Sequence, residues 1–159
     1  MWNQWTISEL AYLTGIIDGE GSLCIELQRA NGKNRKHDYY CIRLSIVNTN
    51  EDLMQWLVKN FQGNYYAQTK YEGRKQCYTY RLFGDKLLDV VKACYPYFII
   101  KKPHADLMIQ FRETVLGKTC WNIPKEVLDW RYQLYLRSRE LNRSGDHKLP
   151  PCHLDAIAL

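Results

Sequence analysis

Apolar residues recur along this chain with two different periods, and the switches between them mark its elements. Near the N-terminus Leu10, Leu13, Ile16 and Ile17 fall on one helical stripe. Thr6 followed three residues later by Glu9 has the form of a capping box, so the pattern predicts a first helix from Ile7 to Ile17. Gly19 and Gly21 supply backbone freedom expected at its end. From Ser22 the period drops to two, with Leu23, Ile25 and Leu27 against Cys24, Glu26 and Gln28, which predicts a strand with one buried face. Tyr40, Ile42, Leu44 and Ile46 alternate with Tyr39, Cys41, Arg43 and Ser45 in a second strand, and the intervening RANGKNRKHD makes a long hairpin tip.

Helical spacing returns with Leu53, Trp56, Leu57 and Phe61, with acids in the first turn and Gly63 past the end. A second hairpin follows, from Tyr65 to Lys70 and from Cys77 to Phe83, around the turn-like EGRK. A third helix starts at Asp85 and stops by Pro96, Pro103 suits the first turn of a fourth reaching Gly117, and Pro124 suits a fifth with Val127, Trp130 and Leu134 on its stripe. Polar, proline-bearing sequence after it predicts a surface tail over residues 143–159, leaving residues 1–142 as one domain.

This order predicts an α+β fold whose four strands form one antiparallel sheet, helices covering one face. The other face would show Cys24, Glu26, Gln28, Arg43 and Ser45 from the first hairpin, and Gln68, Lys70, Thr79 and Arg81 from the second. Such a surface is also what plain solvent exposure produces. The hairpin tip, with Arg29, Lys33, Arg35 and Lys36, shifts the expectation toward a nucleic acid.

The chain has 159 residues at 46% hydrophobic content, enough for one domain with a real core. No run of eighteen or so apolar residues suggests a membrane span. Its six cysteines show no C-x-x-C pair and no histidine at ligand spacing, which argues against a zinc site or a disulfide framework and for reduced, intracellular thiols. A net charge of +5 matters only if it gathers on one surface.

Asp18 and Glu20 stand where the first helix ends, and negative charge there meets the partial negative charge of the last carbonyls. Asp18 is expected to bond local amides of the Gly-rich turn. Glu20 lacks that explanation, and a divalent cation bound by carboxylate and carbonyl oxygens would turn its cost into an attraction. An EF-hand is excluded: DGEGSLCIELQR lacks the glycine at the sixth position and has Arg29 at the last.

The stretch LTGIIDGEGS, residues 13–22, resembles the LAGLIDADG motif of homing endonucleases, matching at Leu13, Gly15, Ile17, Asp18, Gly21 and the acid at 20. The element order agrees with that family's αββαββα core, here with extra C-terminal helices, and the resemblance covers about residues 6–116. It implies a sheet shaped as a DNA-binding saddle and, with a single motif, a homodimer. The motif helices would meet at the twofold axis, where Ala11 and Gly15 allow close approach. Glu20 would be the metal ligand, helped by the Gly19 carbonyl, with Glu in place of the commoner Asp. Two or more Mg2+ ions per dimer would be shared between subunits.

By the same resemblance Asn48 positions water near the metal, and Lys101 activates the nucleophile or stabilises charge, Lys102 being the alternative one register on. The implied reaction is a metal-dependent double-strand break in a long DNA target, leaving short 3′ overhangs. Arg43, Arg81, Gln28 and Gln68 are the expected base readers, and Lys33, Arg35, Lys36 and Lys70 the phosphate contacts. Glu26, Tyr39, Ser45, Lys75 and Thr79 complete the expected DNA surface. Some relatives instead bind their host intron RNA as maturases, or bind DNA without cutting it.

Overall fold

The computed structural model describes residues 5–31, 33, 38–115 and 123–143. Its elements are α1 (Ile7–Glu20), β1 (Gly21–Gln28), β2 (Tyr39–Asn48), α2 (Glu51–Phe61), β3 (Asn64–Ala67), β4 (Tyr78–Phe83), α3 (Gly84–Cys94), α4 (Lys102–Glu113) and α5 (Lys125–Leu141), with a 3₁₀ turn at Tyr95–Tyr97. The four strands pair antiparallel in the order β1-β2-β4-β3. This is the α+β architecture the hydrophobic pattern predicts. The predicted helix end at Gly117 and tail residues 144–159 lie outside the described residues. Among the described residues no helix is long and apolar enough to cross a membrane.

The inward positions of the strands, Leu23, Ile25, Ile42, Leu44, Ile46, Tyr80 and Leu82, are buried and form one core with Leu13 and Ile17 of α1 and with the inner faces of α2, α3 and α4. At the start of α1 the capping box is present: the Glu9 amide donates to Thr6 Oγ1 at 3.3 Å and the Thr6 amide to Glu9 Oε2 at 2.8 Å.

The far end of α1 differs from expectation. The helix runs on through Gly19 to Glu20, so both acids belong to its last turn. Gly21 is needed there for space, since its φ of −79° is ordinary backbone. A Cβ on it would lie 2.7 Å from the Cα and the carbonyl oxygen of Ile17. Strand β1 thereby leaves the helix in close contact with its last buried turn.

Helix α5 also differs. Trp130, expected on the inner stripe, is 41% exposed, while Arg131, Leu134, Tyr135 and Ser138 are buried. The reason is its location along the free side of β1. Ile25 N–H donates to Ser138 Oγ at 2.9 Å, and Asn142 Nδ2 donates to the Leu23 carbonyl at 2.8 Å. Unpaired strand groups need polar partners, so the inner face of α5 is partly polar and its apolar period is blurred. Arg131 is buried because its Nε and Nη2 donate to Thr114 Oγ1 and the Thr114 carbonyl at 3.0 and 2.9 Å, joining the α4 end to α5.

Gly21→Ala is expected to cost about 1–3 kcal/mol, the overpacking range. Urea unfolding measures it, with Gly19→Ala as the control, because a Cβ at Gly19 meets nothing within 4 Å.

Candidate functional site

The end of α1 meets the start of α4 through one carboxylate. Asp18 Oδ2 accepts from the amides of Ile99 and Ile100 at 2.9 and 3.3 Å, and Oδ1 accepts from the amide of Lys101 at 2.8 Å. The expectation of local partners therefore fails: Asp18 bonds amides, but those of a segment more than eighty residues on. The same charge that is unfavourable at the α1 C-terminus is favourable here, where the segment leading into α4 presents three amide donors to it.

Glu20, two residues further, is exposed, and its Oε2 accepts from Asn48 Nδ2 at 2.7 Å. Asn48 closes β2, and its Oδ1 accepts from the Asn50 amide at 2.9 Å. Asn50 in turn caps α2 through the Leu53 amide at 3.0 Å. The structure thus brings Glu20 and Asn48 together as the sequence suggests, and a helix cap holds the asparagine.

Lys101 is tied to the same end of α1 through its backbone bond to Asp18. Lys102 instead places Nζ 5.0 Å from the centroid of the Tyr95 ring, a cation–π contact. Sequence reasoning missed His104, one turn into α4. It is buried, and among the described residues neither ring nitrogen has a partner in good hydrogen-bond geometry, the Leu141 backbone being its nearest polar influence. Burial first, and then the Lys101 charge, hold its pKa below 6.5, against a smaller opposite pull from the Leu141 backbone.

Glu20 and the Gly19 carbonyl are hard oxygen donors of the type magnesium accepts. One chain supplies few of them, and among the described residues no group of three or more His, Cys, Asp and Glu side chains could hold an ion. On the outward side of α1, Ala11 and Gly15 are exposed, and a Cβ on Gly15 meets nothing within 4 Å. Ile7, one turn before Ala11 on the same stripe, is 71% exposed.

Most of the expected DNA-contacting side chains occupy the sheet face opposite the core or its loops, already linked to one another. Arg43 Nη1 donates to Glu26 Oε1 at 2.9 Å, the Tyr39 hydroxyl donates to Gln28 Oε1 at 2.7 Å, and the Arg81 guanidinium lies 5.1 Å from the centroid of the Tyr66 ring. Ser45 pairs with Ser22 on one side and Arg81 on the other. Lys33, Lys70 and Lys75 are exposed in loops, while Arg35 and Lys36 lie outside the described residues. Thr79 is a correction: it is 2% exposed, its hydroxyl accepting from Gln68 Nε2 at 2.7 Å, so Gln68 covers it from any ligand. Burial, the largest influence on each, pushes the Cys24 thiol up and the Cys41 thiol up to about 11, so both are neutral groups on this face at physiological pH.

Asp18→Ala is expected to destabilise the fold by about 2–4 kcal/mol, because hydrogen bonds to a charged acceptor are lost and three amides are left to find water. Chemical denaturation checks it. For His104, whose folded pKa lies below the unfolded value, the neutral ring's contribution is full above the unfolded pKa and is lost as pH falls through it toward the folded one. Stability should therefore fall as the pH drops below about 6.5, and His104→Leu should flatten that fall in urea titrations.

No known family profile matches the sequence, and no curated protein matches it. Solved structures do match. The homing endonuclease I-CvuI, in complex with a DNA target, aligns at 15% identity over 89% of this chain and 87% of that one, with a TM-score of 0.71. The archaeal intron-encoded homing endonuclease I-Vdi141I, complexed with DNA, aligns at 16% identity over 90% and 89%, with a TM-score of 0.69. The LAGLIDADG homing endonuclease I-GzeII, with its DNA target, aligns at 17% identity over 79% of this chain but 43% of its own, with a TM-score of 0.60. In backbone architecture, this chain has the LAGLIDADG homing endonuclease fold.

Proposed function

We propose that this chain is a site-specific DNA endonuclease that works as a homodimer and hydrolyses one phosphodiester on each strand with magnesium. The observation carrying this reading is the exposed Glu20 carboxylate, steered by Asn48, at the end of a helix whose outer stripe of small residues is uncovered. That arrangement sits in a fold whose neighbours include homing endonucleases complexed with DNA, I-CvuI among them in one structure with magnesium and in another with calcium.

A twofold axis along the outer stripe of α1 would let Ala11 and Gly15 of two copies approach, bringing two Glu20 carboxylates to one place. The neighbours support this pairing by size, since the chain spans about half of I-GzeII (43%) and of I-SmaMI (47%). Glu20 and the Gly19 carbonyl of each copy would hold Mg2+, which supplies Lewis-acid stabilisation of the phosphoryl oxygens and lowers the pKa of bound water. Around it the chain's own groups have separate tasks. Asn48 fixes the Glu20 rotamer and lines the approach of water. The Lys101 ammonium offsets the charge that accumulates on the phosphate in the transition state. Asp18 sets the spacing between the two by holding the Lys101 backbone to the α1 end. Arg43, Arg81, Gln28 and Gln68 face the bases, and Lys33, Lys70 and Lys75 the backbone.

A duplex selected from a random library is expected to be cut on both strands with Mg2+, and Glu20→Gln should lose cleavage by at least roughly a hundredfold while still binding. Cleavage by that variant equal to wild type would remove the mechanism, and binding without cleavage by wild type would leave a non-catalytic DNA-binding protein. Gly15→Arg, whose side chain enters open space in one copy, should keep the wild-type circular dichroism spectrum but sediment as a monomer.

A further inference from the structure

The first turn of α2 is fastened to the sheet by a contact that helix capping does not require. Glu51, its first residue, accepts at Oε1 from the Tyr65 hydroxyl and at Oε2 from the Tyr78 hydroxyl, each at 3.0 Å. The two rings come from neighbouring strands, β3 and β4, and meet edge to face with centroids 6.1 Å apart. Bonding to the carboxylate is the largest influence on both phenols and raises their pKa values, so both remain donors at physiological pH. An acid in a first turn is favourable without such partners, and Asn50 already caps this helix through the Leu53 amide. What the two hydroxyls add is position: they pin the start of α2 to two strands at once.

That position matters for Asn48. Tyr78 is its direct partner across the β2–β4 pair, so the two side chains stand side by side on one face of the sheet. Asn48 also bonds the start of α2, its Oδ1 accepting from the Asn50 amide at 2.9 Å while its Nδ2 donates to Glu20 Oε2 at 2.7 Å. Asn48, Asn50, Glu51 and Tyr78 thus close a ring through one strand pair and one helix start. A side-chain amide has a donor end and an acceptor end. Turned over, Asn48 would set its oxygen against the Glu20 carboxylate, and the two would repel. The Asn50 N–H, aimed at Oδ1, selects the attractive orientation, and the first turn of α2 aims it.

We propose that Glu51 is a positioning residue: clamped by Tyr65 and Tyr78, it holds the first turn of α2 so that Asn48 presents its N–H, not its oxygen, to Glu20. The inference rests on the reading of Glu20 as the magnesium ligand, and it adds three side chains that act only through Asn48. Groups that orient a metal ligand commonly control metal affinity as strongly as activity.

The test removes both hydroxyls from the full chain, Tyr65→Phe together with Tyr78→Phe, which keeps the rings and their packing. Cleavage of a duplex selected with the wild type is followed against magnesium concentration. The Asn48 side-chain amide is followed by NMR on the free protein with nitrogen-labelled asparagine, its signal identified by its loss in Asn48→Ala. The magnesium concentration for half-maximal cleavage should rise about tenfold, while duplex affinity measured with calcium stays at the wild-type value. The Asn48 signal should move toward that of a solvent-exposed asparagine. Tyr65→Phe alone, which leaves Tyr78 on the carboxylate, should do less on both counts. Should the double variant fold poorly, Glu51→Gln, which keeps one acceptor oxygen, should shift both readouts in the same direction. An unchanged Asn48 signal overturns the proposal, as does an unchanged magnesium requirement. So does a loss of cleavage that only parallels a loss of thermal stability. If the wild type cleaves no duplex, the reading of Glu20 has failed, and the Asn48 signal, taken without metal or DNA, still decides whether the clamp orients the amide.

Discussion

Three amide hydrogens on one carboxylate organise the functional end of this molecule. Asp18 joins the last turn of α1 to residues 99–101, and nearly everything of chemical interest lies within a few residues of that junction. The bond set turns two weaknesses into one strength. An acid at a helix C-terminus and three amides of an irregular segment without backbone partners are each unfavourable alone, and together each satisfies the other. Glu20 and Lys101 are consequently anchored to the same carboxylate from opposite ends of the chain. A second, independent support reaches Glu20 from the sheet through Asn48, Asn50 and the α2 cap. Two rigid elements and one strand terminus thus fix an exposed side chain that would otherwise sample many rotamers.

The polar sheet face follows a different logic. Its charged groups are tethered by ion pairs and aromatic contacts at the edge of solvent, where such pairs contribute little to stability but limit side-chain freedom. Arg43 is held by Glu26, and Arg81 lies over the Tyr66 ring. Side chains fixed in this way lose less entropy if they are ordered further by a partner. Among them Cys24 and Cys41 are uncharged at neutral pH because burial raises both thiols, so they leave the local field to the arginines.

How much of this is legible in the sequence follows from the range of each interaction. The capping box at Thr6 and Glu9, the alternation in β1 and β2, and the prolines at 103 and 124 act within a few residues, and each predicted element exists. The Asp18 amides cannot be read, because nothing local marks residues 99–101 as its partners. The inner face of α5 is misjudged at Trp130 for a related reason: its position is set by the polar needs of a strand edge, and hydrophobic period is blind to those. The alternation puts Thr79 on the correct side of β4, yet Gln68 from the neighbouring segment buries it. Glu20 is legible because its charge is locally unfavourable, whereas Asn48 enters only through the resemblance to the LAGLIDADG family. His104 leaves no trace in the pattern, because it is one of several polar residues in α4 and nothing local marks it as the buried one.

The seal that α5 places on β1 has a consequence for self-association. A sheet grows by adding strands at its margins, and Ser138 and Asn142 occupy the margin at β1. The opposite margin, β3, is four residues long, Asn64–Ala67. So short a rim offers an incoming strand little to template on, and amyloid-like stacking through this sheet is disfavoured from both sides.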